Sequence, residues 1–161
     1  YREQTATAVQ PQGRRVVTDS GSLHVHLVGL AAAALPGAQF VFVRRDPRSA
    51  ALGCYFGALH GHHPYARELG TAAAYAADYL RLMDHWEGVL AALGHTVVRT
   101  TREALVSDWA GESARVASEL GLSAPGFPAG PGLARCAADE PDKYARRLAP
   151  VSELLRLAQP T

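Results

Sequence analysis

Residues 39–44 read QFVFVR, and the next four, RDPR, reverse every property at once. A short β-prone run with no polar alternation is not the pattern of a strand with one wet face. It predicts a parallel strand over Gln39–Arg44, covered on both faces. Asp46-Pro47 then predicts an immediate helix start. An aspartate at the cap accepts the first unpaired N–H groups, and proline's missing N–H had no helical partner there. This helix is expected to run to about Leu59. A strand feeding straight into a capped helix is the repeating unit of α/β folds. The carboxyl end of such a strand is where α/β sheets collect ligands.

The rest of the chain fits that unit. Val16-Val17-Thr18 is a β-branched run between Arg15 and Asp19, read as a first short strand. Ser22–Leu35 reads as a helix with Leu23, Leu27, Leu30 and Ala34 on one side, stopped by Pro36-Gly37. Thr71–Leu93 is the longest helix expected. Ala72, Ala76, Tyr79, Leu80, Met83, Trp86, Leu90 and Leu93 recur at helical spacing, and Gly94 sits where a helix ends. Val97-Val98 gives a further strand. Short helices are expected over Arg102–Ser107 and Gly111–Leu120. A proline- and glycine-rich loop spans 121–142, and a last helix covers Lys143–Leu157. Strands alternating with helices make a short parallel sheet with helical flanks, in one domain spanning 1–161.

Bulk properties exclude several classes. The 161 residues carry a formal net charge of +1, so no global field favours nucleic acid or an anionic membrane. The greasiest stretch, Leu27–Leu35, is far shorter than the ~20 apolar residues of a spanning helix. Cys54 and Cys136 are far apart and match no metal spacing, which suits a reduced, cytoplasmic chain. His60, His62 and His63 form a dense imidazole cluster, but adjacent residues seldom supply three ligands with good geometry, so no metal is expected. His24 and His26 are candidates for a general base, although on a helix they diverge and a surface role is the plainer reading. Trp86 fits the core stripe. Tyr75 and Tyr79, one helical turn apart, are expected to pack together.

Several stretches together resemble the sulfotransferases that use 3′-phosphoadenosine 5′-phosphosulfate, in the bacterial group often fused to TPR repeats and related to tyrosylprotein sulfotransferases. In order they are VTD, LPGAQFVFVRRDPRSAALGCYFG, YAADYLRLMDHW, REALV with Glu103 in the family's Tyr-Glu pair, SELGL and KYARRLAP. The resemblance runs from Val17 to about Leu157 and implies a partial P-loop-like sulfotransferase fold. It assigns Arg45, just before Asp-Pro, to the donor's 3′-phosphate. A planar guanidinium suits phosphate through paired charged hydrogen bonds. Arg44 and Arg48 join it as candidate donor-binding residues, as does Tyr144 of the late motif, and the helix start is expected to offer free N–H groups.

The same resemblance implies departures. The family's glycine-rich loop, which cradles the 5′-phosphosulfate, lies upstream of the point where this chain begins. The domain is therefore expected to be incomplete at its N-terminal side, and YREQTATAVQ reads like the end of an earlier helix. Ser20 stands where a lysine supports sulfuryl transfer. Gly53 replaces a phosphate-binding serine, and Glu140 in EPDKY replaces a phosphate partner. The expectation is a chain not competent alone. It is either part of a sulfotransferase or a degenerate homologue used in binding or assembly, with a different reaction on the same scaffold as a third class. A sheet lacking its loop strand has an open edge, so a second copy or another protein is expected beside it.

Overall fold

A computed structural model of the chain describes residues 16, 18–57, 63–122 and 136–156, with Ser22 and Leu23 described by backbone alone. In chain order the elements are a 3₁₀ turn (Ser22–Leu27), α1 (Val28–Ala34), β1 (Phe40–Arg44), α2 (Pro47–Phe56), α3 (Leu69–Ala92), β2 (Val97–Thr101), α4 (Arg102–Ser107) and α5 (Trp109–Glu119). A segmented end follows, with 3₁₀ turns at Ala137–Asp139 and Pro141–Tyr144, α6 (Ala145–Leu148), a turn at Ala149–Val151 and α7 (Ser152–Arg156). β1 and β2 are parallel, from Phe40 opposite Val97 to Arg44 opposite Thr101. Parallel strands need a long crossover, and α2 and α3 supply it. This is the expected α/β architecture, a short parallel sheet flanked by helices.

α3 is the spine. Its Ala77, Leu80, Met83 and Leu90 pack with Phe42, Val25, Val28 and Ala32 in one apolar cluster. One turn earlier, Ala73 and Ala76 pack with Ala51 and Leu52 of α2, and with Ala138, Leu148 and Leu155 of the terminal segment, in a second. Alanines at the α2–α3 contact let the two helices approach closely, with Leu52 and Leu155 packed in the same cluster; Leu52, Leu90 and Leu155 are all under 2% exposed. Burying each such leucine is worth about 1.5–3 kcal/mol relative to leaving it in water. No helix among the described residues is long and apolar enough to cross a membrane.

Four expectations need correction. First, β1 is covered on one face only. Phe42 is buried against α3, but Val41 and Val43 are 41% and 52% exposed. β1 pairs with β2 alone among the described residues, so its other edge is unpaired there. Second, no strand forms over the described residues of 16–18. Val16 and Thr18 are exposed and in no ladder, and Val17 lies outside the described residues. A β-branched triplet is not a strand without a neighbour to hydrogen-bond.

Third, the 22–35 segment buries the other side. Val25, Val28 and Ala32 face the core, whereas Leu27 and Leu30 are 51% and 68% exposed. Two helical stripes compete in so apolar a segment, and Gly29 decides between them. A Cβ there would lie 2.5 Å from Trp86 Cη2, so the missing side chain seats the indole. Fourth, the last helix is broken. Pro150 has no N–H to donate, and its ring crowds the carbonyl a turn earlier, so 3₁₀ turns and short helices replace one continuous helix.

The other local signals hold. Gly94 closes α3 at φ 77°, where a side chain would be strained. α2 ends at Phe56, and the loop containing His60 and His62 lies outside the described residues, as does 123–135 of the proline-rich stretch.

Candidate functional site

Strand alternation parts the arginines at the end of β1. Arg44 turns toward α3. Its Nε and Nη2 donate to Glu87 Oε1 at 3.0 and 2.8 Å, and Nη2 also reaches Asp84. Glu87 is 5% exposed, and its other oxygen accepts from Arg99 Nε. The pair Arg44–Glu87 is therefore part of the core's polar stitching. Arg48 donates to Asp46 and, at 2.8 Å, to Asp142 Oδ1. Tyr144 sits edge-on to Phe56 in the last turn of α2, with ring centroids 5.0 Å apart. Phe56 lies about two helical turns beyond Arg48, so the Tyr144 ring packs at the far end of this helix.

Arg45 turns the other way and meets a residue the sequence reading did not single out. Arg44 is opposite Thr101 in the parallel register, so Arg45 and Arg102 are the next residues along neighbouring strands. Both side chains converge on Asp139 of the Ala137–Asp139 turn. Arg45 Nη2 donates to Asp139 Oδ1 at 2.6 Å. Arg102 Nε donates to the same oxygen at 3.0 Å, and its Nη2 to Oδ2 at 3.1 Å. The Cys136 backbone N–H adds a fourth bond, to Oδ2 at 2.8 Å. The side chains of Arg45 and Arg102 are each 22% exposed and that of Asp139 16%. The Arg102 hydrogen bonds, with help from the Cys136 N–H and the charge of Arg45, hold the Asp139 carboxyl well below the usual carboxylate range.

Two details sharpen this corner. Arg45 Nε is buried and has no hydrogen-bond partner among the described residues. Gly53 lies beneath the guanidinium, and a Cβ there would stand 2.9 Å from Arg45 Nη1. Gly53 thus makes room for the present arginine pose. A cleft of about 140 Å³ opens beside the cluster, lined by Arg102, Glu103, Val106, Asp139 and Glu140.

The helix start offers less than expected. Asp46 Oδ1 accepts from the N–H groups of Arg48 and Ser49 at 2.7 and 3.4 Å. Asp46 N–H itself donates to Glu103 Oε1 at 3.0 Å. These first-turn donors are satisfied within the protein, so the expected free N–H groups are not there. The chemistry of the corner is that of two guanidiniums.

His24 lies 3.7 Å from Asp19 Oδ1 and is well exposed, as is His26. His63 Nδ1 is 3.0 Å from the Tyr65 hydroxyl, and Tyr65 stacks on Tyr75 at 3.8 Å between centroids. Desolvation, reinforced by Tyr75, pushes the Tyr65 phenol up to about 12. No group of three His, Cys, Asp or Glu among the described residues is placed to hold a metal ion.

The depressed carboxylates set an acid limit on the fold. Hydrogen bonds from Arg115, then Thr100, bring Glu112 from its ordinary 4.5 to about 2. Asp139 is lowered likewise from 3.8. The unfolded chain therefore binds protons at these sites at a higher pH than the folded chain does. Their stabilisation is complete above the ordinary values and drains away as pH falls through the folded ones. Melting temperature should be level from pH 7 to about 5 and fall between about 4.5 and 2. An unchanged melt at pH 3, followed by circular dichroism, contradicts the assignment.

A family model described as “Sulfotransferase family” matches residues 2–126, which is most of the 161-residue chain. The match takes in β1, α2, α3, β2 and both arginines, and stops short of Asp139 and Lys143. No curated protein and no solved structure matches the chain significantly. With its parallel β-α crossover, its capped helix after β1 and this match over most of its length, the chain belongs to the sulfotransferase family.

Proposed function

We propose that the chain carries the phosphate-gripping corner of a sulfotransferase, with Arg45 as the guanidinium for the 3′-phosphate of 3′-phosphoadenosine 5′-phosphosulfate. The observation that carries this reading is the position of Arg45. It stands at the carboxyl end of a parallel strand, beside a second arginine, already on an oxyanion, with a buried Nε to spare. A carboxylate and a phosphate present the same acceptor oxygens to a guanidinium. The residues present therefore fit a phosphate group. When bound, the donor supplies the transferable sulfuryl group. This chain's own residues bind and orient the nucleotide's far phosphate.

The chain by itself is not a competent enzyme. Sulfuryl transfer needs cationic and hydrogen-bonding groups around the charge that grows on the leaving oxygen. Loss of one such group costs about 2.7–4 kcal/mol in the transition state. Ser20 replaces a group of that kind in the family pattern, while Gly53 and Glu140 replace groups that hold the nucleotide's phosphate. In addition, the edge of β1 away from β2, unpaired among the described residues, and the exposed face with Val41 and Val43 support association with a second copy or another protein. Such a partner makes the chain a binding and assembly module. The subgroup linked to TPR repeats and tyrosylprotein sulfotransferases fits the motif order, and a cytoplasmic setting fits the two free thiols.

Incubating the full chain with the donor and a panel of phenols and alcohols tests competence. The expected result is no sulfated product above the protein-free control by mass spectrometry. Robust product from the chain alone overturns the claim of incompetence.

A further inference from the structure

We propose that Arg45 and Arg102 form a single two-guanidinium anion site, and that the Asp139 carboxylate is its built-in occupant, which a phosphate-bearing nucleotide must displace. The inference rests on the reading of Arg45 as a phosphate residue and adds two groups to it, a second cation and an internal competitor.

The geometry carries it. The arginines occupy matching positions past the ends of paired parallel strands, so the backbone sets their spacing. Rigid strand ends are how a protein keeps two positive groups close together without a ligand. Asp139 answers that charge with one carboxylate, which accepts three hydrogen bonds from the guanidiniums and one from the Cys136 N–H among the described residues. It does so incompletely. Arg45 gives it only Nη2, while Nε stays buried and unpaired, with Cys136 Sγ 3.6 Å from the same Nη2. A planar carboxylate has two oxygens, and a terminal phosphate has three and more charge. The site is thus larger in donors than the group that fills it.

The occupant is also placed to leave. Asp139 closes a 3₁₀ turn of only three residues, Ala137–Asp139, and Cys136 and Glu140 on either side are exposed. The cleft lined by Arg102, Glu103, Val106, Asp139 and Glu140 opens directly beside it. Ala138 anchors the turn in the core, at 3% exposure. A ligand therefore moves the carboxylate out of the arginine pair without unfolding α2 or α3. A site closed by its own side chain binds with an affinity reduced by the fraction of molecules that are open.

The test is calorimetric titration of the full chain with adenosine 3′,5′-bisphosphate at fixed ionic strength, with hydrogen exchange of residues 136–140 as a second readout. Asp139→Asn keeps the shape and removes the charge, and it should tighten binding about tenfold. Asp139→Ala is the second variant, for the event that the amide disturbs the turn. Arg102→Ala should weaken binding about tenfold or more, with partial recovery in Arg102→Lys. In the wild type, saturating ligand should speed exchange at 136–140. If both Asp139 variants bind no tighter than wild type, or if ligand leaves that exchange unchanged, the built-in occupant is refuted. If Arg102→Ala binds like wild type, the two-guanidinium site is refuted while the Arg45 reading stands. If neither wild type nor the Asp139 variants bind at all, both readings fall together.

Discussion

Glu87→Ala should lower the melting temperature by about 6–20 °C. Glu87 is 5% exposed on the sheet-facing side of α3, and both its oxygens are engaged. Oε1 accepts from Arg44 at 3.0 and 2.8 Å, and Oε2 from Arg99. Removing it leaves Arg44, whose side chain is 16% exposed, with Asp84 as its remaining anion partner. Breaking one side of a buried ion pair costs about 3–5 kcal/mol, because the other charge stays desolvated. For a chain of this size each kcal/mol moves the midpoint by about 2–4 °C. Arg99, at 62% exposure, can be rehydrated and adds little to the loss. The double variant Glu87→Leu with Arg44→Met should be less harmful than Glu87→Ala, since an apolar pair removes both desolvated charges. A Glu87→Ala melt that overlays wild type contradicts this account of the interface between sheet and spine.

The same pairing explains why a chain so rich in arginine at one strand end projects little free charge there. Arg44 faces Glu87 and Asp84, Arg45 faces Asp139, and Arg48 faces Asp46 and Asp142. A ligand for this corner must therefore exchange one anion for another rather than fall into an unscreened field. That exchange selects for groups with more charge and more acceptor oxygens than a carboxylate.

Local chemistry was legible in the sequence wherever one segment decides the outcome. Asp46-Pro47 starts a helix because the cap and the ring act on adjacent backbone. Gly94 ends one because only the left-handed turn closes it there. The stripe on α3 was legible for Ala72, Ala76, Leu80, Met83 and Leu90, although Leu93 is exposed and Glu87 is buried among them. What failed needed a partner from elsewhere. Val25 and Leu27 are equally apolar, and Gly29 meeting Trp86 chose which of them is buried. The β1 valines were read as covered because a continuous apolar run does not say whether a third strand or helix lies over them. Pro150 is the exception: its ring and missing N–H act locally, yet the expected helix over Lys143–Leu157 runs straight through it.

The site was half legible for the same reason. Arg45 follows an obvious strand and precedes an obvious cap. Arg102 follows a strand whose visible signal was only Val97-Val98, so its register with Arg45 stayed hidden until the parallel pairing was known. A negative charge at the late motif was expected at Glu140. The structure puts Glu140 in an ion pair with Lys143 at the rim and sets Asp139, one residue earlier, on the arginines. A 3₁₀ turn, with its tighter period, turns that neighbour inward.

Everything functional rests on Arg45 as a phosphate grip, and titration of adenosine 3′,5′-bisphosphate into wild type and Arg45→Ala measures that directly. One hydrogen bond to a charged group is worth about 1.5–3 kcal/mol, and 1.4 kcal/mol is tenfold in affinity. A forked grip by Arg45 therefore predicts weakening of about a hundredfold, with Arg45→Lys between the two because a point charge keeps attraction but loses the fork. Equal affinity in wild type and Arg45→Ala, with both folded by circular dichroism, contradicts the account.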